Sequence, residues 1–148
     1  MKNKLKVVID TNIFIYGWFS DNIYCDKILS LIDDRKLQLL FAQDTIGELV
    51  YITKNFARHN LKTNEEKIAA LNIIMVLFYY ATSVNTSNMQ CSFSKDNTDA
   101  MFLKCAIKGE ADYFITDDFK HGMHDNDKII DIQVISSEEF IRIYEEII

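Results

Sequence analysis

Residues 5–10 read Leu5-Lys6-Val7-Val8-Ile9-Asp10, and this stretch decides the fold. The run is rich in β-branched residues and does not alternate with polar ones, which is typical of a strand buried on both faces. It ends on a carboxylate, and a carboxylate at the end of a buried strand needs partners. We therefore predict that the first strand of a covered sheet ends at Asp10.

The segments that follow alternate between helical and extended patterns. Apolar residues at helical spacing predict a helix over Asp21–Asp33, and a second strand is predicted at Lys36–Ala42. Thr45-Ile46-Gly47-Glu48 and Thr63-Asn64-Glu65-Glu66 both have the capping-box pattern, in which Thr and Glu satisfy the first backbone N–H groups of a helix. Each segment therefore predicts the start of a helix.

The distal half continues the alternation of strands and helices. It contains a short strand at Ala81–Val84, a helix that begins at Asp96–Asp99 and ends with a left-handed Gly109, strands at Tyr113–Thr116 and Ile129–Ile135, and a last helix capped at Ser136–Glu139. This order predicts an α/β fold in which a mainly parallel central sheet is flanked by helices on both faces.

Length and composition predict one globular domain over residues 1–148. The net charge of −6 argues against a protein that coats nucleic acid through a general basic surface. The longest apolar run, Ile73–Ala81, is about half a bilayer span. Cys25, Cys91 and Cys105 lack the spacing of a zinc site or a disulfide framework. Because no signal peptide or membrane helix is indicated, we expect a cytoplasmic protein.

Six acidic residues lie where strands end or helices begin, and in a parallel sheet these positions share one edge. They are Asp10, Glu48, Asp96, Asp99, Asp117 and Asp118. Carboxylates that converge repel one another unless a cation or raised pKa values offset the repulsion. Oxygen ligands without a neighbouring His or Cys favour Mg²⁺ or Mn²⁺ over zinc. Such a site can activate water for attack on a phosphodiester.

Structural interpretations of the same residues remain open. Taken alone, Glu48 is explained by a capping box without any metal, and Asp96 could be an N-cap. Asp99 could be a favourable charge at the start of a helix, and Asp117 and Asp118 could be turn residues. The coincidence of carboxylates at strand ends and helix starts favours the metal site over these independent structural roles.

Three segments resemble the PIN-domain family. Val7-Val8-Ile9-Asp10-Thr11-Asn12-Ile13-Phe14-Ile15 is similar to its opening motif. Residues 96–103 and 109–118 resemble the distal half of the toxin-like branch, and residues 134–140 resemble its ending. Asn97 stands where the family commonly has proline, and Ala100 where it often has a polar residue. Neither difference removes an acidic residue that the resemblance would place at the metal site.

The resemblance implies a ribonuclease dependent on Mg²⁺ or Mn²⁺, with RNA as substrate. The family's catalytic and metal-binding acids map onto Asp10, Glu48, Asp99 and Asp118, with Asp96 as an additional ligand and Thr11, Asn12 and Thr116 in support. The toxin-like branch further implies an antitoxin protein as partner, and a homodimer. The main alternative is a PIN-like module that binds RNA or protein without cutting it.

Lys54, Arg58 and Lys62 follow Glu48 and could form a local RNA-binding strip, or simply the solvated face of a helix. Other functions fit the residues less well. A receiver domain requires an acid after the third strand, where Asn85 stands, and a haloacid-dehalogenase-like phosphatase requires one at Asn12. The four glycines form no phosphate-binding loop, and the chain is short for a nuclease of structured DNA flaps.

Overall fold

The computed structural model describes residues 4–88, 97–118 and 132–147, apart from the side chains of residues 97–99. The elements within these ranges are, in chain order, β1 (Leu5–Ile9), α1 (Thr11–Phe19), α2 (Ile23–Asp33), β2 (Leu37–Ala42), α3 (Gln43–Asn60), α4 (Asn64–Tyr80), β3 (Thr82–Val84), α5 (Asn97–Lys108), β4 (Tyr113–Ile115), β5 (Gln133–Ile135) and α6 (Ser137–Ile147). The predicted α/β class is confirmed. Predicted strand residues 129–131 lie outside the described ranges.

The five strands form one sheet in the order β3-β2-β1-β4-β5, and every neighbouring pair is parallel. The chain moves outward from β1 to β3 and then returns to the other side of β1. Strand order therefore reverses between β1 and β4, and open parallel sheets commonly bind ligands at the carboxyl ends of the strands at such a point. Ile9 pairs with Ile115, so the residues that follow these two strands lie side by side.

Alternate residues of the strands pack into two separate apolar cores. Val7 and Ile9 face helices α1, α2, α3, α4 and α6, whereas Val8 faces α5. Both sets are almost completely buried, which explains why β1 has an unbroken apolar sequence. The predicted covering of both sheet faces is confirmed, and the carboxyl end of β1 lies between the two layers in the centre of the sheet.

Helix α1 is absent from the sequence-based predictions. Its sequence, TNIFIYGWF, is apolar on nearly every side, and the N-cap residue Asp10 makes no side-chain capping hydrogen bond. Periodicity cannot identify such a helix, because the pattern has no polar face. The structure shows that β1 passes into α1 directly through Asp10, which places Asp10 at the junction of a strand and a helix.

The end of α5 differs from the prediction of a left-handed Gly109. The left-handed residue is Glu110, with φ 55°. The N–H of Glu110 donates to the Ile107 carbonyl, and that of Ala111 to the Ala106 carbonyl, as in a Schellman motif. Gly109 instead lies in a tightly packed position, because a Cβ there would lie 2.7 Å from Leu40 Cδ1 and 3.0 Å from the Cys105 carbonyl. The predicted position of the end of α5 is confirmed, but the left-handed conformation was assigned to the wrong residue.

No helix in the described ranges is long and apolar enough to cross a bilayer. The apolar run Ile73–Ala81 forms the second half of α4 and the residue that follows it.

Candidate active site

Asp10 lies at the carboxyl end of β1, beside the point where strand order reverses. Its side chain is only 8% exposed, and Thr116 Oγ1 donates to its Oδ2 at 2.7 Å. The pKa of Asp10 is raised to about 6, chiefly by burial and with further contributions from the nearby charges of Glu48 and Asp118, against the opposing effect of the Thr116 hydrogen bond. Three carboxylates therefore interact electrostatically at this edge of the sheet.

Glu48 is brought to the site by α3, and it is not a capping residue. Helix α3 begins at Gln43, so Thr45 lies inside the first turn. The Thr45 hydroxyl accepts from the Ala42 N–H at 2.9 Å and lies 3.1 Å from the Ala42 carbonyl, to which it donates. Thr11 Oγ1 instead donates to Glu48 Oε2 at 2.7 Å. The predicted capping box is wrong here, and Glu48 faces the start of α1.

The two acids after β4 have different environments. Asp118 donates its backbone N–H to Thr116 Oγ1 at 3.1 Å, so the same hydroxyl contacts both Asp10 and Asp118. Asp117 accepts from the N–H and the hydroxyl of Ser137, at 2.8 and 2.7 Å. Asp117 thus fixes the start of α6, whereas the charge of Asp118 acts on Asp10.

Sequence reasoning missed the role of Ser137, which is buried and bonds Asp117 from 20 residues away. The serines at positions 136 and 137 were predicted to cap α6, and Ser136 Oγ does accept from the Glu139 N–H at 3.2 Å. The only sequence feature that pointed to such a bond was the pair of adjacent acids after β4, Asp117 and Asp118. Which of the two would reach α6 depends on the sheet register, and a local motif does not contain that information.

Asp99 lies in the first turn of α5, and its side chain falls outside the described part of the molecule. Asp96 lies outside the described residues altogether. Both the ligand and the capping interpretations of these two acids remain predictions. The backbone of α5 covers the sheet face opposite to α1 and α3, so Asp99 belongs to the layer across the sheet from Glu48.

Among the predicted supporting residues, Thr11 and Thr116 are buried, and each donates to a carboxylate of the site. Asn12 is exposed in the first turn of α1. The predicted RNA-binding residues Lys54, Arg58 and Lys62 are also exposed, and none of them forms an ion pair with a described side chain. Their part in RNA binding remains a prediction.

The chemistry of the site suits a hard divalent cation. All of its donors are oxygens, and none of the described basic side chains forms an ion pair with Asp10. As placed, no three acidic, His or Cys side chains of the described residues are close enough to hold a metal ion. The charges of Asp10, Glu48 and Asp118 are nevertheless close enough to raise the pKa of Asp10, so a cation among them would relieve their repulsion.

Comparisons with known proteins give the chain a family context. A family model described as PIN domain matches residues 6–120. The uncharacterized protein MJ1680 of Methanocaldococcus jannaschii is 26% identical, over 99% of this chain and 96% of that protein. A chain in the crystal structure of VapBC2 from Rickettsia felis, bound to a DNA fragment from their promoter, superimposes with a TM-score of 0.58 at 17% identity. That match covers 89% of this chain and 98% of the other, and it supports the fold.

Proposed function

The chain belongs to the PIN-domain family, and we propose that it is a metal-dependent endoribonuclease that hydrolyses RNA phosphodiester bonds. PIN domains are in general nucleases, and they typically use divalent metal ions. The proposal adds to this the substrate RNA, the ion Mg²⁺ or Mn²⁺, and the catalytic residues Asp10, Glu48, Asp99 and Asp118. It also assigns the protein as the toxin of a toxin–antitoxin pair, with an antitoxin protein as its partner.

The observation that supports this proposal is the buried Asp10 carboxylate beside two further acids at the point where strand order reverses. A structural carboxylate that is buried normally has a cationic partner or several N–H donors. In the described part of the molecule, the Asp10 carboxylate is stabilised by the Thr116 hydroxyl and by a backbone hydrogen bond of Thr11 but by no ion pair, while Glu48 and Asp118 oppose its ionisation. Such an arrangement costs stability, which is expected of a site that binds a cation.

Each residue has a definite task in this mechanism. Asp10, Glu48, Asp118 and Asp99 would hold the cation, with Asp96 as an additional ligand. When bound, the cation lowers the pKa of a water and stabilises negative charge on the phosphate. The hydroxyls of Thr11 and Thr116 orient the carboxylates of Glu48 and Asp10 by donating to one oxygen of each.

The test is cleavage of a panel of single-stranded and structured RNAs by purified protein, with Mn²⁺ present or chelated. We expect cleavage that requires the metal and is lost in Asp10→Asn. Asp21→Asn, at an exposed position before α2, is the matched control for the loss of one carboxylate and should retain activity. Mn²⁺ binding, measured by calorimetry on the same proteins, gives a second readout.

Each outcome has a distinct meaning. Wild-type protein that binds Mn²⁺ but cuts no RNA would support the alternative of a binding module without nuclease activity. Protein that binds no Mn²⁺ would refute the metal site. An Asp10→Asn variant that fails to fold would show that Asp10 is structural, because the exchange keeps the size of the side chain and its acceptor for Thr116.

A further inference from the structure

A cavity of about 710 Å³ lies at the amino ends of β1 and β2, at the opposite edge of the sheet from the carboxylates. Its walls come from the first residues of these two strands, from the turn after α2 and from the end of α4. Small-molecule sites in proteins commonly have volumes of about 300–1,000 Å³. The cavity therefore has the size of a site for an organic ligand, and the proposed nuclease function does not use it.

Among the described residues that line this cavity, three are basic and one is acidic. The basic residues are Lys4, Lys6 and Arg35, and the acid is Asp33. None of the three cations forms an ion pair with a described side chain. The whole chain has a net charge of −6, so this cavity is locally opposite in charge to the protein. Cations that gather at one cavity attract an anion.

Arg35 occupies the position after α2 where glycine is normally preferred. The Arg35 N–H donates to the Ile32 carbonyl and the Lys36 N–H to the Leu31 carbonyl, as in a Schellman motif. The left-handed residue of this motif is Arg35, with φ 59°. Glycine adopts this conformation without strain, whereas a residue with a side chain does not. An arginine at this position is therefore expected where its side chain has a function.

The side chain of Arg35 is held against the end of α4. Its Cζ lies 3.1 Å from the ring centroid of Tyr80, the last residue of that helix. Both residues line the cavity, so the contact fixes a guanidinium plane in its wall. Arg35 is an exposed residue, and a guanidinium plane is a surface on which a nucleobase can stack.

Lysines and leucines reach the cavity from opposite faces of the sheet. Lys6 pairs with Gln38, and Lys4 and Lys6 lie on the face covered by α5, whereas Leu37 and Leu39 belong to the core on the other face. Strand β3 does not extend along these leucines, so the edge of β2 is open to the cavity here. The cavity thus combines ammonium groups that suit a phosphate with apolar groups that suit a base.

We propose that this cavity binds a nucleoside phosphate, with the base stacked on Arg35 and the phosphates held by Lys4 and Lys6. Inorganic phosphate would fill only a small part of the volume. Asp33, at the same cavity, can accept a hydrogen bond from a ribose hydroxyl or from an amino group of the base. The proposal does not depend on nuclease activity, because the cavity and the carboxylates lie at opposite edges of the sheet.

The test is calorimetric titration of the full chain with ADP, with adenosine and with pyrophosphate. A chelator is present throughout, so that no divalent metal draws a nucleotide to the carboxylates. We expect ADP to bind, and adenosine and pyrophosphate each to bind about 10-fold more weakly or worse, because each lacks one half of the contacts. Added salt should weaken the binding of ADP, since cations hold its phosphates.

Arg35→Gly is the most informative variant, because glycine is the preferred residue at this left-handed position and the variant should fold. It should weaken ADP binding by about 10-fold or more, and so should Lys6→Gln. Arg142→Gln is the matched control, because it removes a cation from an exposed position of α6 that does not line the cavity. It should leave ADP binding unchanged, and thermal unfolding should show that all three variants are folded.

Three results would overturn the proposal. A wild type that does not bind ADP would leave Arg35 as a packing contact between the ends of α2 and α4. Pyrophosphate that binds as tightly as ADP would show a site for an anion without a nucleoside. ADP binding that survives both Arg35→Gly and Lys6→Gln, or that falls equally in Arg142→Gln, would show that the nucleotide does not bind in this cavity.

Discussion

Two segments of this protein share one sequence pattern and have different structures. In Thr63-Asn64-Glu65-Glu66, the Thr63 hydroxyl accepts from the Glu66 N–H at 3.1 Å, and the Glu66 carboxylate accepts from the Thr63 N–H at 3.2 Å. This is a complete capping box. In Thr45-Ile46-Gly47-Glu48, the threonine bonds to Ala42 and the glutamate bonds to Thr11.

The comparison shows that a glutamate in a capping-box sequence is of functional interest when it does not form the capping bond. Glu66 is exposed, and its bonds to Thr63 are satisfied within its own helix end. Glu48 is half-buried, and its charge acts on the Asp10 carboxylate. It does not form the capping bond within its own helix that its sequence predicts. An acid that lies close to a second carboxylate is a better candidate for function than one that completes its cap. Substitutions in the two segments test this interpretation.

The largest expected effect concerns the two glutamates themselves. Glu48→Gln should lower RNA cleavage by about 100-fold or more, which is typical for the loss of one electrostatic group in an active site. Glu66→Gln should leave cleavage unchanged, because the described hydrogen bonds of Glu66 lie within its own helix end. Single-turnover cleavage at saturating Mn²⁺ checks both variants. Equal losses in the two variants would show that the glutamates do not differ in function.

A pH-dependent stability is expected from Asp10, the carboxylate that Glu48 faces. The pKa of Asp10 is raised from 3.8 to about 6 in the folded protein, so the protonated form is favoured by folding. Metal-free wild type should therefore lose up to about 3 kcal/mol of stability as pH rises from roughly 4 to 6. Asp10→Asn should lack this loss and be the more stable protein above about pH 6. Denaturant unfolding of both proteins across this range measures the difference.

The same titration distinguishes the two glutamates. The charge of Glu48 contributes to the raised pKa of Asp10. Glu48→Gln should therefore move the Asp10 titration to lower pH, whereas Glu66→Gln should not change it. Carboxyl signals followed by NMR report the titration directly. An Asp10 titration that is the same in wild type and in Glu48→Gln would mean that the two carboxylates do not interact.

A smaller effect is expected from the two threonines. Thr63→Ala should cost about 1 kcal/mol of stability, as expected for an exposed N-cap. Thr45→Ala should cost more, about 1–3 kcal/mol, because the hydroxyl is buried and its loss leaves the Ala42 N–H without this acceptor. Free energies of unfolding in urea provide the test. A larger cost at position 63 would contradict this ranking.

The smallest expected effect is at Thr53, on the same helix as Glu48. Its side chain is fully buried, and its hydroxyl has no hydrogen-bond partner among the described residues. Thr53→Val keeps the shape and removes the unpaired polar atom, so it should stabilise the protein by about 1 kcal/mol. Thermal unfolding measures this effect. A destabilised valine variant would reveal a partner for the hydroxyl.

The parallel sheet and the edge where the acids gather could be predicted from the sequence, because an apolar strand that ends in a carboxylate places that carboxylate at a sheet edge. Helix α1 could not be predicted, since its apolar residues lack a period. The difference between Asp117 and Asp118 depends on β4 lying beside β5, and the position of Glu48 depends on a partner that is distant in the chain, Thr11. The ligand roles of Asp96 and Asp99 remain predictions, since their side chains are not described.

The bond between Asp117 and Ser137 has a consequence for protein synthesis. Strand β5 supplies the carbonyl of Ile135 that accepts from the Thr116 N–H at 2.9 Å, and α6 supplies both donors to Asp117. A nascent chain that has not yet emerged from the ribosome beyond Ser137 therefore lacks the contacts that hold Thr116 and Asp117 in place. The carboxylate edge can therefore become ordered only after β5 and α6 have joined the sheet.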